Sequence, residues 1–157
     1  MAKKPNYDFE KRKKEQDRKK KKDAKREERQ ASVISASGSQ AAFTGNGPED
    51  FKGHIIGKDV VVAGNILVGR ETLEAILETF ESTSGPLADR IMTALEAGQK
   101  AGGDRRGKIS AAILVLNEAP GTNAYARNID LRVDSSTNPV GDLRTLFDAY
   151  KAAFKIK

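Results

Sequence analysis

Gly102, Gly107 and Lys108 stand at the spacing of a phosphate loop. In that motif, G-x-x-x-x-G-K-[ST], backbone N–H groups wrap the phosphates, the lysine adds charge and the final hydroxyl holds Mg²⁺. The segment AGGDRRGKISAAILVL (101–116) follows the pattern through Lys108 and then departs from it. Ile109 stands where the hydroxyl is needed, and Ser110 comes one residue late. The context is also reversed. A phosphate loop needs a strand leading in and a helix leading out, so that the helix N-terminus faces the anion. Here a helical pattern leads in and an apolar strand pattern leads out. The economical reading is a turn: Gly102 and Gly103 end a helix with positive φ, and Gly107 admits a tight entry to a strand. Asp104 can bridge to Arg105 or Arg106 within that turn. Ser110 then remains as a hydroxyl in an otherwise apolar strand, where a core serine bonded to backbone is commoner than a catalytic one.

The elements that would position these residues are read from periodicity. ASVIS (31–35) and QAAFT (40–44), around Ser37-Gly38, read as two short strands and a turn. Gly45–Gly57 reads as a loop containing Pro48, and DVVVAGNILVG (59–69) as a β-branched strand ending at Gly64-Asn65. Leu73, Ile76, Leu77 and Phe80 then recur at i, i+3, i+4 and i+7, the mark of an amphipathic helix. Ser84-Gly85-Pro86 breaks it. A second helix follows with Leu87, Ile91 and Leu95 on one face. ISAAILVL is apolar on both faces and predicts a central strand covered on both sides. In NIDLRVD, Ile129, Leu131 and Val133 alternate with Asp130, Arg132 and Asp134, a strand with one buried face; Asp130 and Arg132 suggest cross-strand pairing. Val140, Leu143, Phe147 and Tyr150 predict a last helix from Pro139. The order of strands, two helices, strands and helix predicts an α+β layered fold, with helices covering a mostly antiparallel sheet.

Composition excludes several chemistries. The 157 residues contain no Cys and a single His, His54, so thiolate zinc sites, disulfides, a Cys nucleophile and a His-based metal cluster are all ruled out. No cofactor is expected. No apolar run approaches the roughly 20 residues that span a bilayer, and no apolar segment follows the first lysines as in a secretory signal. A cytoplasmic protein without a membrane partner is the default expectation. The net charge of +6 is concentrated in residues 1–30, which hold 14 Lys/Arg and 7 Asp/Glu. That stretch has too few apolar residues to bury a face, while acid-to-base pairs such as Glu10–Lys14 and Asp17–Lys21 favour helix at i,i+4. Two domains follow: a basic tail at 1–30, helical or disordered, and a near-neutral α+β domain at 31–157. The tail has two readings: a solvated, solubilising segment, or a contact for nucleic acid or an acidic partner. In the second, Lys11, Arg12, Lys13, Lys14, Lys19, Lys20, Lys21 and Lys22 would neutralise phosphates and release counterions.

LEAGQKAGGDRRGKISAAILV resembles the hallmark segment of a bacterial family, domain of unknown function 1028, in the N-terminal-nucleophile (Ntn) hydrolase superfamily. AAFTG (41–45), GHIIG (53–57), GNILVG (64–69), GPLADRIMTALEAG (85–98) and NIDLRVDSSTNPVGDLRTLFDAY (128–150) agree in order. The resemblance covers about residues 29–157. It implies a four-layer αββα sandwich, here a partial one. The implied chemistry is amide hydrolysis by the first residue of a mature chain, with its own α-amino group as base. Members open with strands that carry this nucleophile; here the charged tail stands in their place, and position 2 is Ala2, followed by Lys3 and Lys4. Internal cleavage before Ser32 or Thr44 would expose a hydroxyl, though not at the family's position. The loop 45–54 lacks the Cys and Trp often found there, and Ile109 replaces a polar residue, commonly Gln.

By this resemblance Asp104, Arg106 and Ser110 would line the family's cleft. Arg106 would hold a substrate carboxylate by its fork, against the alternative of a salt-bridged loop. Asn65 would donate to an oxyanion, against the alternative of a turn residue. His54 reads as a loop residue. The expected function is therefore a truncated, inactive Ntn-hydrolase-like domain serving assembly or binding. An amidohydrolase acting on a small amide or peptide and a nucleic-acid-binding tail are the alternatives. Missing strands leave sheet edges and faces open, so a homo-oligomer, or a second chain completing the sheet, is the expected partner.

Overall fold

In the computed structural model, residues 7–118 and 125–155 are described. Their order is α1 (Tyr7–Glu27), β1 (Gln30–Ile34), β2 (Gln40–Thr44), β3 (Gly53–Gly57), β4 (Val60–Gly64), α2 (Glu71–Ser82), α3 (Leu87–Lys100), β5 (Ala111–Glu118), β6 (Tyr125–Val133) and α4 (Pro139–Phe154). The fold is mixed α+β. The strands pair as three antiparallel ribbons, β1–β2, β3–β4 and β5–β6, rather than one continuous sheet.

The expected loop at 45–57 is corrected at its end: GHIIG is β3, whose Ile55 and Ile56 pair with Val62 and Val61 of β4. The ribbon turns at Lys58-Asp59, with Asp59 at φ 59°, a left-handed position that Asp tolerates. Pleat alternation then divides its faces. Val62 is buried on the face toward α2, and Gly53 lies on the same face, where an added Cβ would stand 3.3 Å from Leu73 Cδ1. His54 points the other way, toward β1–β2.

There the ribbons are joined by polar groups. Gln30 Nε2 donates to Thr44 Oγ1 (3.1 Å), to the Gly53 carbonyl (2.7 Å) and to the Gly64 carbonyl (2.9 Å). Thr44 Oγ1 lies 2.8 Å from His54 Nδ1. At the far end the Gln40 amide, oriented by its bonding partners, donates to the Gly57 carbonyl and accepts from the Asp59 N–H. Gln30, Gln40 and Thr44 therefore occupy the inner face of β1–β2. The paired Ala31–Phe43 and Val33–Ala41 form its outer face, with Val33 62% and Phe43 49% exposed.

The main core lies under β5–β6. Ile113 pairs with Leu131 and Val115 with Ile129, and all four are buried against Met92 of α3 and Val140, Leu143 and Phe147 of α4. Burying each large side chain of this kind contributes about 1.5–3 kcal/mol. The core face of α3 runs through Ala88 and Met92, with Ile91 and Leu95 packed against it; Leu87, expected on that face, is exposed. Gly98 lets α2 approach α3, since a Cβ there would lie 2.5 Å from Ile76 Cγ1. Two ion pairs tie α4 to α3: the Arg144 fork on Glu96 (2.7 and 2.8 Å) and Lys151 on Asp89 (2.6 Å). The Glu96 hydrogen bond raises the pKa of Arg144 above its already high value.

The expectation that the ISAAILVL strand is covered on both sides is not met. Its second face is open, with Leu114 53% and Leu116 46% exposed among the described residues. Asp130 and Arg132 lie across from Leu114 and Ala112, so they do not face each other between strands; Arg132 Nε bonds Asp134 instead (2.8 Å). In α1 the side chains from Glu10 to Lys25 are all exposed, giving the tail a helical form. Residues 1–6, which include Ala2, Lys3 and Lys4, lie outside the described residues.

Candidate functional site

The glycine turn is built as the residue types require. Helix α3 stops at Ala101, and Gly102 (φ 128°), Gly103 (φ 63°) and Gly107 (φ 108°) all adopt positive φ. At Gly102 a side chain would also collide with Val68, since an added Cβ would stand 2.9 Å from Val68 Cβ. The turn is strapped to the segment after β4. Val68 N–H donates to the Gly103 carbonyl, Arg105 N–H donates to the Ile66 carbonyl, and Leu67 bridges Asp104. Ile66 is held at φ 56°, a left-handed conformation that costs a β-branched residue of order 1–3 kcal/mol. Its N–H donates to the Glu49 carbonyl, and Glu49 also pairs with Arg105 (2.9 Å), so the strain is held from both sides.

Asp104 and Arg106 are bound to each other. Arg106 Nε donates to Asp104 Oδ1 (3.0 Å), Nη2 to Oδ2 (2.6 Å), and the Arg106 backbone N–H also donates to Oδ1 (2.8 Å). The side-chain bond from Arg106 is the main cause that holds the Asp104 carboxyl down at about 2, with the backbone N–H next. The same bond raises Arg106. The fork that would grip a substrate carboxylate thus grips the chain's own carboxylate, the salt-bridged-loop arrangement.

Ser110 is placed differently from the expectation. Strand β5 begins at Ala111, so Ser110 precedes it and is exposed rather than sitting inside an apolar strand. Asp104, Arg106 and Ser110 do converge, with Lys108, on one cavity of about 530 Å³ between α2, α3 and the turn. Leu67, Ile76, Leu95 and Val140 supply its apolar wall. Asn65 is not on that wall; its side-chain N–H donates to Gln30 Oε1 (3.2 Å) and belongs to the seam between the first two ribbons. His54 is likewise in that seam, bonded to Thr44, rather than a loop residue. Among the described residues no group of three or more His, Asp or Glu could hold a metal ion, and no helix is long and apolar enough to cross a membrane.

The polar seam was not legible in the sequence. Gln30, Thr44, His54 and Asn65 are separated by up to 35 positions, and only the pairing of two ribbons brings them together. Thr72 was missed as well. It is 2% exposed, it lines the cavity, and its hydroxyl has no hydrogen-bond partner among the described residues. Its position at the start of α2, just outside the apolar stripe, gave no signal.

Comparison with known proteins gives the family. The description "Family of unknown function (DUF1028)" matches residues 10–143, and the chain belongs to that family. A crystal structure of a protein from Silicibacter pomeroyi that carries the same family description is similar, at 32% identity and a TM-score of 0.67 over 78% of this chain. The chain spans about half the length of that protein. No curated protein matches the sequence.

Proposed function

We propose that this chain is a partial Ntn-hydrolase-like domain, catalytically inactive by itself, that works as an assembly and binding module. The observation that carries the reading is the open face of β5–β6. Helices α3 and α4 cover one side of this ribbon; Ala112, Leu114 and Leu116 on the other side are exposed. At β3–β4 the corresponding side is covered by β1–β2. An αββα sandwich with part of one β layer absent has this form; the open face sets the exposed Ala112, Leu114 and Leu116 of β5 beside the exposed Asp130 and Arg132 of β6, an apolar row with a charged margin of the kind that marks an interaction surface. A second copy of the chain is the simplest supplier, because closed two-fold dimers are the commonest assemblies. The outer face of β1–β2 carries only Ala31, Val33, Ala41 and Phe43, so two copies can meet there without burying a charge. The amidohydrolase alternative needs a hydroxyl at a new chain start; an intact mass beginning at Met1 or Ala2 excludes internal processing. Sedimentation at tens of micromolar tests the assembly reading. A dimer that Leu114→Glu or Phe43→Glu dissociates is expected, and a compact monomer at every concentration overturns it.

A second reading rests on α1. In an α-helix, residues three and four apart share a face, and Lys11, Lys14, Arg18, Lys21 and Lys25 recur at that spacing, with Lys22 beside them. Arg12, Lys13, Lys19 and Lys20 fall on other faces. Such a cationic stripe suits the phosphates of a nucleic acid. Affinity for a duplex oligonucleotide should then fall steeply with salt and vanish when residues 1–30 are deleted; binding retained after deletion refutes it.

A further inference from the structure

We propose that helix α1 of one chain docks along the acidic outer face of α2 in a second copy, and that the exchange is reciprocal. The contact uses neither open strand face, so it goes beyond the assembly reading above.

Glu71, Glu74, Glu78 and Glu81 lie on one side of α2, and all four are exposed. At 3.6 residues per turn they fall within about 80° of arc. No basic residue shares that arc. Arg70, just outside it, pairs with Glu74 (2.7 Å), and Glu81 accepts the Lys58 backbone N–H (2.9 Å). Carboxylates three and four residues apart on a helix repel. The helix dipole favours Glu71 and Glu74 in the first turn, but it disfavours Glu78 and Glu81 toward the C-terminal end. The last turn holds no base to offset them. The stability of α2 alone therefore does not account for this row.

Helix α1 carries its complement. Lys11, Lys14, Arg18 and Lys21 repeat the same 3-4-3 spacing, are exposed, and have no acid within their arc. A 3-4-3 spacing reads the same in both directions, so four cations can meet four carboxylates whether the helices run parallel or antiparallel. In either direction Lys14 and Arg18 face Glu74 and Glu78. No other element packs along α1. A helix without tertiary packing is marginal in water, and a partner that neutralises its stripe would stabilise it.

The partner is a second copy because of where α1 is tied. Glu28 and Arg29 join it to β1, on the far side of β3–β4 from α2, and the two helices of one chain do not pack together. Each copy offers both rows, so a two-fold exchange closes the contact into a dimer.

The test is zero-length carbodiimide cross-linking, which joins a lysine amine to a carboxylate in contact with it. Full chains, ¹⁵N-labelled and unlabelled, are mixed at low salt, and linked peptides are read by mass spectrometry. Mixed-isotope links from Lys11, Lys14 or Lys21 to the α2 carboxylates are expected. Lys14→Glu with Arg18→Glu, or Glu74→Lys with Glu78→Lys, should lower their yield about tenfold, since two exposed pairs become repulsive. Each reversal moves the net charge by two, so from +6 these variants carry +2 and +10 and still repel overall. Mixed with each other, they should restore the links. Lys13→Glu with Lys20→Glu makes the same charge change on the opposite side of α1 and should leave the yield unchanged. Leu114→Glu should leave it unchanged too, so failure of the open-face reading does not carry over to this one. The proposal is overturned if links form only within single chains, or if the mixture of reversed variants stays unlinked. It is equally overturned if Lys13→Glu with Lys20→Glu, or Leu114→Glu, removes the links.

Discussion

The ribbons β3–β4 and β5–β6 are built on the same plan and finished differently. Each is an antiparallel pair with helix packed on one face, α2 on β3–β4 and α3 with α4 on β5–β6. The second face of β3–β4 receives another ribbon through hydrogen bonds from Gln30, Gln40 and Thr44. The second face of β5–β6 receives nothing among the described residues and shows Leu114 and Leu116. The polarity also differs. The contact that is made is polar, and the face left open sets the apolar row of β5 beside Asp130 and Arg132 of β6. Hydrogen bonds to backbone carbonyls fix register and angle, because they demand geometry. Apolar area supplies free energy without demanding it. The first ribbon pair is therefore oriented firmly but stabilised modestly, and the second is stabilised strongly from one side alone.

Four substitutions test this contrast. The largest effect belongs to Phe147→Ala, at the centre of the one-sided core, which should cost about 3–5 kcal/mol in denaturant unfolding. A cost near 1 kcal/mol would mean that the core is not where the stability resides. Gln30→Ala should cost about 1 kcal/mol. It should speed hydrogen exchange in β1 to β4 while leaving β5 and β6 unchanged, and uniform acceleration would break the distinction between the two ribbons. Leu114→Lys should change the stability of the monomer by less than about 0.5 kcal/mol, as for an exposed position; a loss of several would place a covering layer on that face. The smallest effect is at the turn. The Asp104 carboxyl titrates at about 2, below its usual range. Its contribution is therefore present above about pH 4, the unfolded value, and is lost as pH falls toward 2. Carboxyl NMR should give that midpoint, and Arg106→Gln should return it to the ordinary range.

Where apolar periodicity was strong, the sequence was sufficient. Leu73, Phe80, Val140, Leu143 and Phe147 are buried as their spacing implies, and Gly102, Gly103 and Gly107 take the positive φ that a helix-to-strand turn needs. It misled where periodicity is short or doubled. GHIIG is five residues bounded by glycines, too brief to show alternation, and became a strand only by pairing with β4. ISAAILVL is apolar at every position from Ala111 to Leu116 and so cannot say which face is covered. Small residues hid the true face of α3: Ala88, Ala94 and Gly98 are buried, while Leu87 next to them is not. At the candidate site, the grouping of Asp104, Arg106 and Ser110 came from the family resemblance, and all three line one cavity. Thr72 and the Gln30 seam depend on contacts between distant elements, which no local pattern encodes.

Only Glu28 and Arg29 separate the end of α1 from the start of β1. A second copy that approached the apolar face of β1–β2 would bring its own lysine-rich helix to the same neighbourhood. The two helices would then repel at low ionic strength, and salt shortens such repulsion to about 8 Å under physiological conditions. The proposed self-association through this face would therefore strengthen as salt is added. The proposed contact between the helix and a polyanion would weaken over the same range. The sign of the salt response would separate the two proposals, and in the first the charged helix would act as a colloidal guard on the surface beside it.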